Sequence, residues 1–444
     1  MDHQETLERG LRARRGPSDE LDEIATLATP LTGPDDLDQL VERIGDARYV
    51  LIGEASHGTS EYYRWRADLS RRLIVERGFS FVAVEGDWPD CFAVNRWVKG
   101  RGGQDRSASD VLGTFARWPT WMWANEEVAE FIGWLRDHNA ATGAGVGFYG
   151  LDVYSLWESL QRIVGYLDER HPEALDTARA ALRCFQPYGE DPQRYAWATR
   201  MVPASCEAEV LELLAELRQA APLDDDPEAE LDAVQNAEAL AGAERYYRTM
   251  VQADASSWNV RDVHMADTLD HLVAHHGHDA KALVWAHNTH VGDARATDMA
   301  AAGMINIGQV ARERHAADGV VLVGCAGHHG SVVAAGSWGA AMRRMPVPDA
   351  PAATHEDMLH QVHAGPALLV FPDPRDTPWL RARRGHRAIG VVYQPDHDRR
   401  GNWVPTTMGE RYDALLSFAE TSAVHPLQLT AAPTGELETY PWTT

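Results

Sequence analysis

The chain has 444 residues, 44% of them hydrophobic and 24% charged, a globular balance that excludes disordered, collagen-like and coiled-coil classes. Lys and Arg total 41 against 66 Asp and Glu, giving a net charge of −25. A surface that negative repels phosphate backbones and anionic lipid headgroups, so nucleic acid and membrane are not the expected partners. No run of about 18 apolar residues occurs, and Met1–Glu20 is dense in charge without an apolar h-region. Cys91, Cys184, Cys206 and Cys325 are far apart and lack CxxC spacing, which argues against a disulfide framework or a thiolate zinc site and for a reducing, cytoplasmic setting.

An apolar, β-branched run at Tyr49–Ile52 ends in Gly53, and a second at Phe79–Val84 ends in Glu85-Gly86-Asp87. Between them the pattern turns helical from about Glu61 to Arg77, with Leu69, Leu73 and Ile74 on one face, as expected of a parallel strand-helix-strand unit. Val146–Tyr149 reads as a third strand, ending in Gly150-Leu151-Asp152. From Ser155 to about His276 the text is rich in Ala, Leu and Glu with helical periodicity, broken by turn signals at Pro187, Pro203, Pro222 and Pro227. Strand character returns at Ala282–Trp285, Val320–Val323, Ala367–Phe371 and Ala388–Tyr393. The expected fold is therefore α/β: a central, mostly parallel sheet flanked by helices, with an all-helical insertion covering the strand ends. The divisions are 1–154 and 277–444 for the two parts of the core, and 155–276 for the insertion.

Ligands of open α/β sheets bind beyond the carboxyl ends of the strands. Three of those ends carry reactive side chains: Gly53-Glu54-Ala55-Ser56-His57-Gly58, Glu85-Gly86-Asp87, and Trp285-Ala286-His287-Asn288-Thr289-His290. Two carboxylates and three imidazoles converging on one cleft must pair with each other or with a ligand. Asp87 and Asp152 also end strands and read as loop or helix caps, Asp152 alternatively as a partner of the site. Trp118, Trp121 and Trp123 read as a core or domain-interface cluster or, alternatively, as an apolar substrate wall. His328 and His329, after Gly327, read as a surface loop.

Gly-Glu-Ala-Ser-His-Gly-Thr-Ser-Glu from Gly53, Val-Glu-Gly-Asp from Val84, Trp118-Pro119-Thr120-Trp121-Met122-Trp123 and His287-Asn288-Thr289-His290 resemble the erythromycin esterase family in order and spacing, over roughly Tyr49 to Leu427. The resemblance implies an α/β core with a helical insertion and hydrolysis of an ester or macrolactone, and it raises macrolide resistance as a role. Some family members are instead labelled as polysaccharide-biosynthesis proteins. Carried over position by position, the implied site is Glu54, His57, Arg66, Glu85, His287 and His290.

Lactone hydrolysis needs a base for water, donors for the oxyanion and an acid for the leaving alkoxide. His57 fits the base, with Glu54 or Glu85 holding its tautomer. Arg66 fixes a carboxylate or the substrate carbonyl, and His287 and His290 are the candidate donors. Ser56 adjoins His57 but lacks a Gly-x-Ser-x-Gly elbow, which favours activated water over a serine nucleophile. The site expectation includes no cofactor and no metal. Two alternatives stay open: a metal-dependent hydrolase, since all five Glu and His donors suit zinc, manganese or iron, and a non-catalytic protein that binds a small ligand in the same pocket.

Overall fold

The computed structural model describes residues 17–428 apart from 104, 190, 202–204, 221–225, 252–254, 374 and 376. Its strands are β1 (Ala28–Pro30), β2 (Tyr49–Ile52), β3 (Phe81–Asp87), β4 (Gly147–Asp152), β5 (Ala282–Trp285), β6 (Val320–Ala335), β7 (Met342–Val347), β8 (Ala367–Val370), β9 (Arg383–Arg387), β10 (Trp403–Thr407) and β11 (Ala414–Thr421). The main sheet runs β1-β8-β11-β6-β2-β5-β3-β4, with β7 paired to the far part of β6, while β9 and β10 form a separate hairpin-like pair. The six strands from β11 to β4 are mutually parallel, and β8 is antiparallel to β11.

Both faces of the parallel strands are covered, which explains why their sequences are continuous apolar runs. Val50, Ile52, Val82, Val84, Leu283 and Trp285 pack into the core on one side. Tyr49, Leu51, Phe81, Ala83, Ala282 and Val284 pack into the core on the other. The helix Ser60–Arg77 lies against the first side through Tyr63, Ala67, Ser70 and Ile74, and it ends at Gly78 in the left-handed region (φ 69°), the conformation glycine adopts without a Cβ penalty.

The register sets the height of each strand end. Ile52 pairs with Trp285 and Val323, Trp285 with Val84, and Val84 with Gly150. The next residue along the row is Gly53, Ala286, Glu85 or Leu151, and the one after that is Glu54 on β2, His287 on β5 and Asp152 on β4. Glu54, His287 and Asp152 come two residues past these paired positions and Glu85 one residue past, so the parallel ladder brings all four to the same end of the sheet.

Between β4 and β5, helices Leu156–Arg170, Leu175–Phe185, Pro192–Met201, Glu207–Gln219, Pro227–Met250 and Ala255–His276 follow one another, with no strand among the described residues. They bury a core of their own around Leu160, Ile163, Leu213 and Leu240. Pro187 sits in a short 3-10 turn and Pro227 opens its helix, the position where proline's missing N–H costs nothing. Pro203 and Pro222 lie outside the described residues.

Four expectations need correction. Cys184 and Cys206 are joined in a disulfide: packing of Leu175–Phe185 against Glu207–Gln219 brings cysteines 22 positions apart to a Cα separation of 5.8 Å. The argument from cysteine usage to a reducing compartment falls with it. Among the described residues no helix is long and apolar enough to cross a membrane. Ala388–Tyr393 is not a strand. It crosses the strand ends through isolated bridges, Ile389 to Ser56 and Val392 to Ala335, because its backbone pairs first with the loop after β2 and then with the end of β6, so that neither contact extends into a ladder. The central strand β11 carries Ala, Leu, Ser and Glu in place of a β-branched run, and so escaped notice. His328 and His329 lie within β6, which continues twelve residues past Val323, and His328 is buried.

Gly58, next to His57, fixes how the first strand-end loop docks. A Cβ there would lie 1.9 Å from the Val333 carbonyl oxygen, and the Gly58 carbonyl accepts backbone hydrogen bonds from Val333 and Val424. Gly58→Ala should therefore destabilise the fold by about 1–3 kcal/mol, the usual range for overpacking. A urea unfolding midpoint equal to wild type would contradict this docking.

Candidate active site

Two clusters of buried charge flank the carboxyl ends of β2, β3, β4 and β5. In the first, His57 Nδ1 is 2.9 Å from Glu54 Oε1, and Arg66 reaches Glu54 Oε2 at 2.8 Å. Arg66 is 0% exposed, with its guanidinium over the Tyr63 ring. The carboxylate only accepts, so His57 Nδ1 donates and Nε2 is left as the acceptor. Arg66 therefore fixes a carboxylate, and neither it nor Glu54 lines the cavity that His57 lines.

The second cluster is built around Arg261, on the helix Ala255–His276. Its Nε and one terminal nitrogen donate to the two oxygens of Asp152 at 2.9 and 2.7 Å, and the same terminal nitrogen donates to Glu85 Oε1 at 2.7 Å. The other oxygen of Glu85 accepts the backbone N–H of His287 at 2.8 Å. His290 Nδ1 lies 2.9 Å from both oxygens of Asp262, and its Nε2 lies 3.3 Å from Glu85 Oε1. Asp262 also accepts the backbone N–H of Ile307.

Protonation follows from these neighbours. Burial opposes the charge of His290, but Asp262 and Glu85 outweigh it and raise its pKa to about 9. The ring is then an imidazolium, stacked on Trp258 with centroids 4.5 Å apart. The 3.2 Å approach of Arg261 to His290 Nε2 is in that state a meeting of two donors, not a hydrogen bond. Burial would push Glu85 up, yet His290 and Arg261 hold its carboxyl well below the usual carboxylate range.

His287 is the opposite case. Burial, the largest influence, holds it well below the ordinary imidazole value, so it is neutral. Its Nδ1 accepts the Thr289 backbone N–H at 3.3 Å as the cap of the short helix Asn288–Val291 and lies 2.8 Å from the Thr289 hydroxyl; with both groups donating to Nδ1, the ring proton is on Nε2. That Nε2–H is buried and has no hydrogen-bond partner among the described residues. The His57 and His287 rings stand 4.8 Å apart, centroid to centroid.

These rings open onto a cavity of about 600 Å³. It is lined by the charged groups Glu85, Asp152, Arg261 and His290, by an aromatic wall of Trp118, Trp123, Trp258, Trp338, Tyr154 and Tyr246, and by the Gly390–Gln394 crossover. Trp121 lies behind this wall, fully buried. Trp123 donates its indole N–H to the Glu85 carbonyl and Trp118 to that of Ala340. Asp87 and Asp90 are also on the wall. Burial raises Asp87 to about 6 against the pull of Arg117, and burial together with Asp87 raises Asp90 to about 7. Ser56 does not line the cavity, and its hydroxyl is hydrogen-bonded to Thr59 Oγ1.

The comparisons with known proteins bear on this arrangement. Residues 74–421 match the family described as erythromycin esterase. The chain belongs to the erythromycin esterase family. An Escherichia coli erythromycin esterase type II is 32% identical over 119 residues, 27% of this chain and 26% of that protein, so the match spans about a quarter of that relative's length. Among solved structures, a Bacillus cereus protein has a TM-score of 0.78 at 19% identity, covering 94% of this chain and all of its own (100%). A succinoglycan biosynthesis protein has a TM-score of 0.75 at 22% identity, with coverage of 92% and 98%. A mutant of the erythromycin esterase EreC in its open conformation has a TM-score of 0.64 at 15% identity, with coverage of 88% and 94%. At these identities the structural likeness is one of fold.

Glu85, His287 and His290 fall within the stretch that matches the erythromycin esterase family, whereas Glu54, His57 and Arg66 precede it. Sequence reasoning overlooked Arg261, Asp262 and Trp258. The signal was there: Trp258, Arg261, Asp262 and Met265 recur at helical spacing, with Trp258, Asp262 and Met265 buried and Arg261 half-buried beside them, and an Arg-Asp pair next to apolar residues is a charge that needs partners elsewhere.

Because the folded pKa of His290 is about 9 against an ordinary 6.5, its charged pairing stabilises the fold fully below pH 6.5 and is lost as pH rises through 9. Asp262→Asn removes the largest favourable charge. In a histidine NMR titration the His290 transition should move down from about 9 toward the ordinary value, and an unmoved transition would contradict the pairing.

Proposed function

We propose that this chain hydrolyses a carboxylic ester or macrolactone with water activated by His57. Membership of the erythromycin esterase family supports an esterase-type hydrolase function, and the observation that carries the mechanism is the His57–His287 pair at the cavity, two rings 4.8 Å apart, one with its Nδ1 on Glu54 and the other with an Nε2 that has no partner among the described residues.

Glu54, itself held by Arg66, fixes the His57 tautomer so that Nε2 takes a proton from water as the oxygen attacks the acyl carbon. The tetrahedral oxyanion receives the His287 Nε2–H, which costs no reorganisation because it has no prior partner to give up. The His290 imidazolium and Arg261 balance the charge of Glu85, Asp152 and Asp262 beneath. His57 then returns its proton to the leaving alkoxide, so one water is consumed and an acid and an alcohol are released. Water is preferred to Ser56 because that hydroxyl is bonded to Thr59 and away from the cavity.

The reaction in this reading is metal-free. Both carboxylates that could serve as ligands are occupied by guanidinium groups, Glu54 by Arg66 and Glu85 by Arg261, and these cations repel a metal ion from the same oxygens. The aromatic wall of Trp118, Trp123, Trp258, Tyr154 and Tyr246 suits a large, largely apolar substrate.

Incubation with a panel of macrolides and simple carboxylic esters should yield, from a macrolactone, a ring-opened hydroxy acid heavier by one water and, from a simple ester, its acid and alcohol. Tight retention of a panel member with no turnover would replace the hydrolase by a binding protein. His57→Asn should lower kcat by about 10²- to 10⁴-fold with the substrate dissociation constant nearly unchanged, and near-normal kcat would remove His57 from the reaction. Chelation followed by dialysis should leave turnover unaltered. Loss of turnover restored by one defined divalent ion would overturn the metal-free reading.

A further inference from the structure

The histidine pair after Gly327 plays no part in this reaction. His328 and His329 lie in β6, outside the walls of the catalytic cavity. The chain that leaves β7 returns past them at Pro348-Asp349. Their Nδ1 atoms are 2.9 Å apart, and Asp349 Oδ1 is 3.9 Å from His329 Nδ1. Donor atoms of the three residues all lie within 4.8 Å of one another, and among the described residues no other group of three His, Cys, Asp or Glu side chains does so.

We propose that His328, His329 and Asp349 bind a divalent transition-metal ion, with Zn²⁺ the best match. Two imidazoles and one carboxylate are a borderline-soft donor set of the kind zinc takes. Zinc-to-ligand bonds of about 2.0–2.2 Å in a tetrahedron separate neighbouring donors by about 3.3–3.6 Å, and the observed 2.9 and 3.9 Å bracket that range. With two nitrogens at 2.9 Å, either one carries a proton between them or both lone pairs face a shared cation.

Charges of both signs surround the three donors. Glu420 is the register partner of His329 on β11 and lines the same groove as His329 and Asp349. Arg344 lines it too, its Nε–H donated to the Ser331 hydroxyl, and Arg387 donates to the His328 carbonyl, so the ion is held by direct coordination and not by the field of the groove. The His360 ring stacks on His328 at 4.0 Å, and its Nδ1 is buried with no hydrogen-bond partner, placing a third imidazole against the site. Three ligands leave at least one coordination position for water or an outside donor. The bound ion would tie β6 to the segment after β7.

The test uses tag-free full-length protein, stripped with EDTA, dialysed and titrated with ZnCl₂ by calorimetry, with elemental analysis of the saturated sample. The expected result is one Zn²⁺ per chain and a higher unfolding temperature with zinc. His329→Ala and Asp349→Ala, checked by circular dichroism, should each weaken binding by about tenfold or more, abolish the temperature shift and leave ester turnover unchanged. Absence of stoichiometric zinc, or zinc bound equally well by both variants, would overturn the proposal. Zinc lost in His57→Asn instead would place the ion in the catalytic cavity, overturning this assignment and the metal-free reaction together. Turnover that survives stripping, combined with no zinc uptake, would overturn this site alone.

Discussion

The salt bridge from Arg261 to Asp152 and Glu85 is the interaction on which the rest of the site depends. Three carboxylates, Glu85, Asp152 and Asp262, are buried at the end of a sheet, where an unpaired charge costs several kcal/mol. Arg261 and the His290 imidazolium are the two cations that make this tolerable. Because Arg261 sits on the last helix before β5 while Asp152 ends β4 and Glu85 lies two residues before the end of β3, the same bridge fastens the helical segment over the strand ends.

The consequences run outward from Glu85. One of its oxygens meets Arg261 and His290, and the other holds the backbone N–H of His287, so the charge network below sets the position of the neutral ring above. Arg66 and Glu54 do the same for His57 from the other side. His57 is thus held through its ring by one carboxylate and His287 through its backbone N–H by another, and each of these carboxylates is paired with an arginine. Asn288 joins the two halves. Its side-chain amide donates to the Cys325 carbonyl and its oxygen accepts the Cys325 N–H, locking the His287–His290 turn to β6 beside Gly53.

Much of this was legible in the sequence because parallel strands buried on both faces leave an unmistakable text. Tyr49–Ile52 and Ala282–Trp285 are strands with the bounds read from their apolar runs, and the residues just past them hold Glu54, His57, His287 and His290. The parts that were not legible depend on long-range packing. Arg261 and Asp262 stand out on their helix as a charged pair that needs partners, but those partners are on β3, β4 and the turn after β5, which the local pattern does not name. β11 is central to the sheet yet has the composition of a helix, since Ala and Leu suffice once β6 and β8 enclose it. The Cys184–Cys206 bond depends on how two helices of the 155–276 segment pack, which cysteine spacing does not encode.

The account stands most directly on Arg261. Glutamine at that position keeps much of the side-chain volume and hydrogen-bonding capacity but removes the charge shared by Asp152 and Glu85. Steady-state hydrolysis by Arg261→Gln, on any ester that the wild-type protein turns over and with the fold verified by circular dichroism, is the decisive measurement. The prediction is a fall in kcat of at least about 10²-fold with little change in KM, as for loss of a preorganised charge at a reacting centre. A folded Arg261→Gln protein with wild-type kcat would contradict the claim that this bridge organises the site.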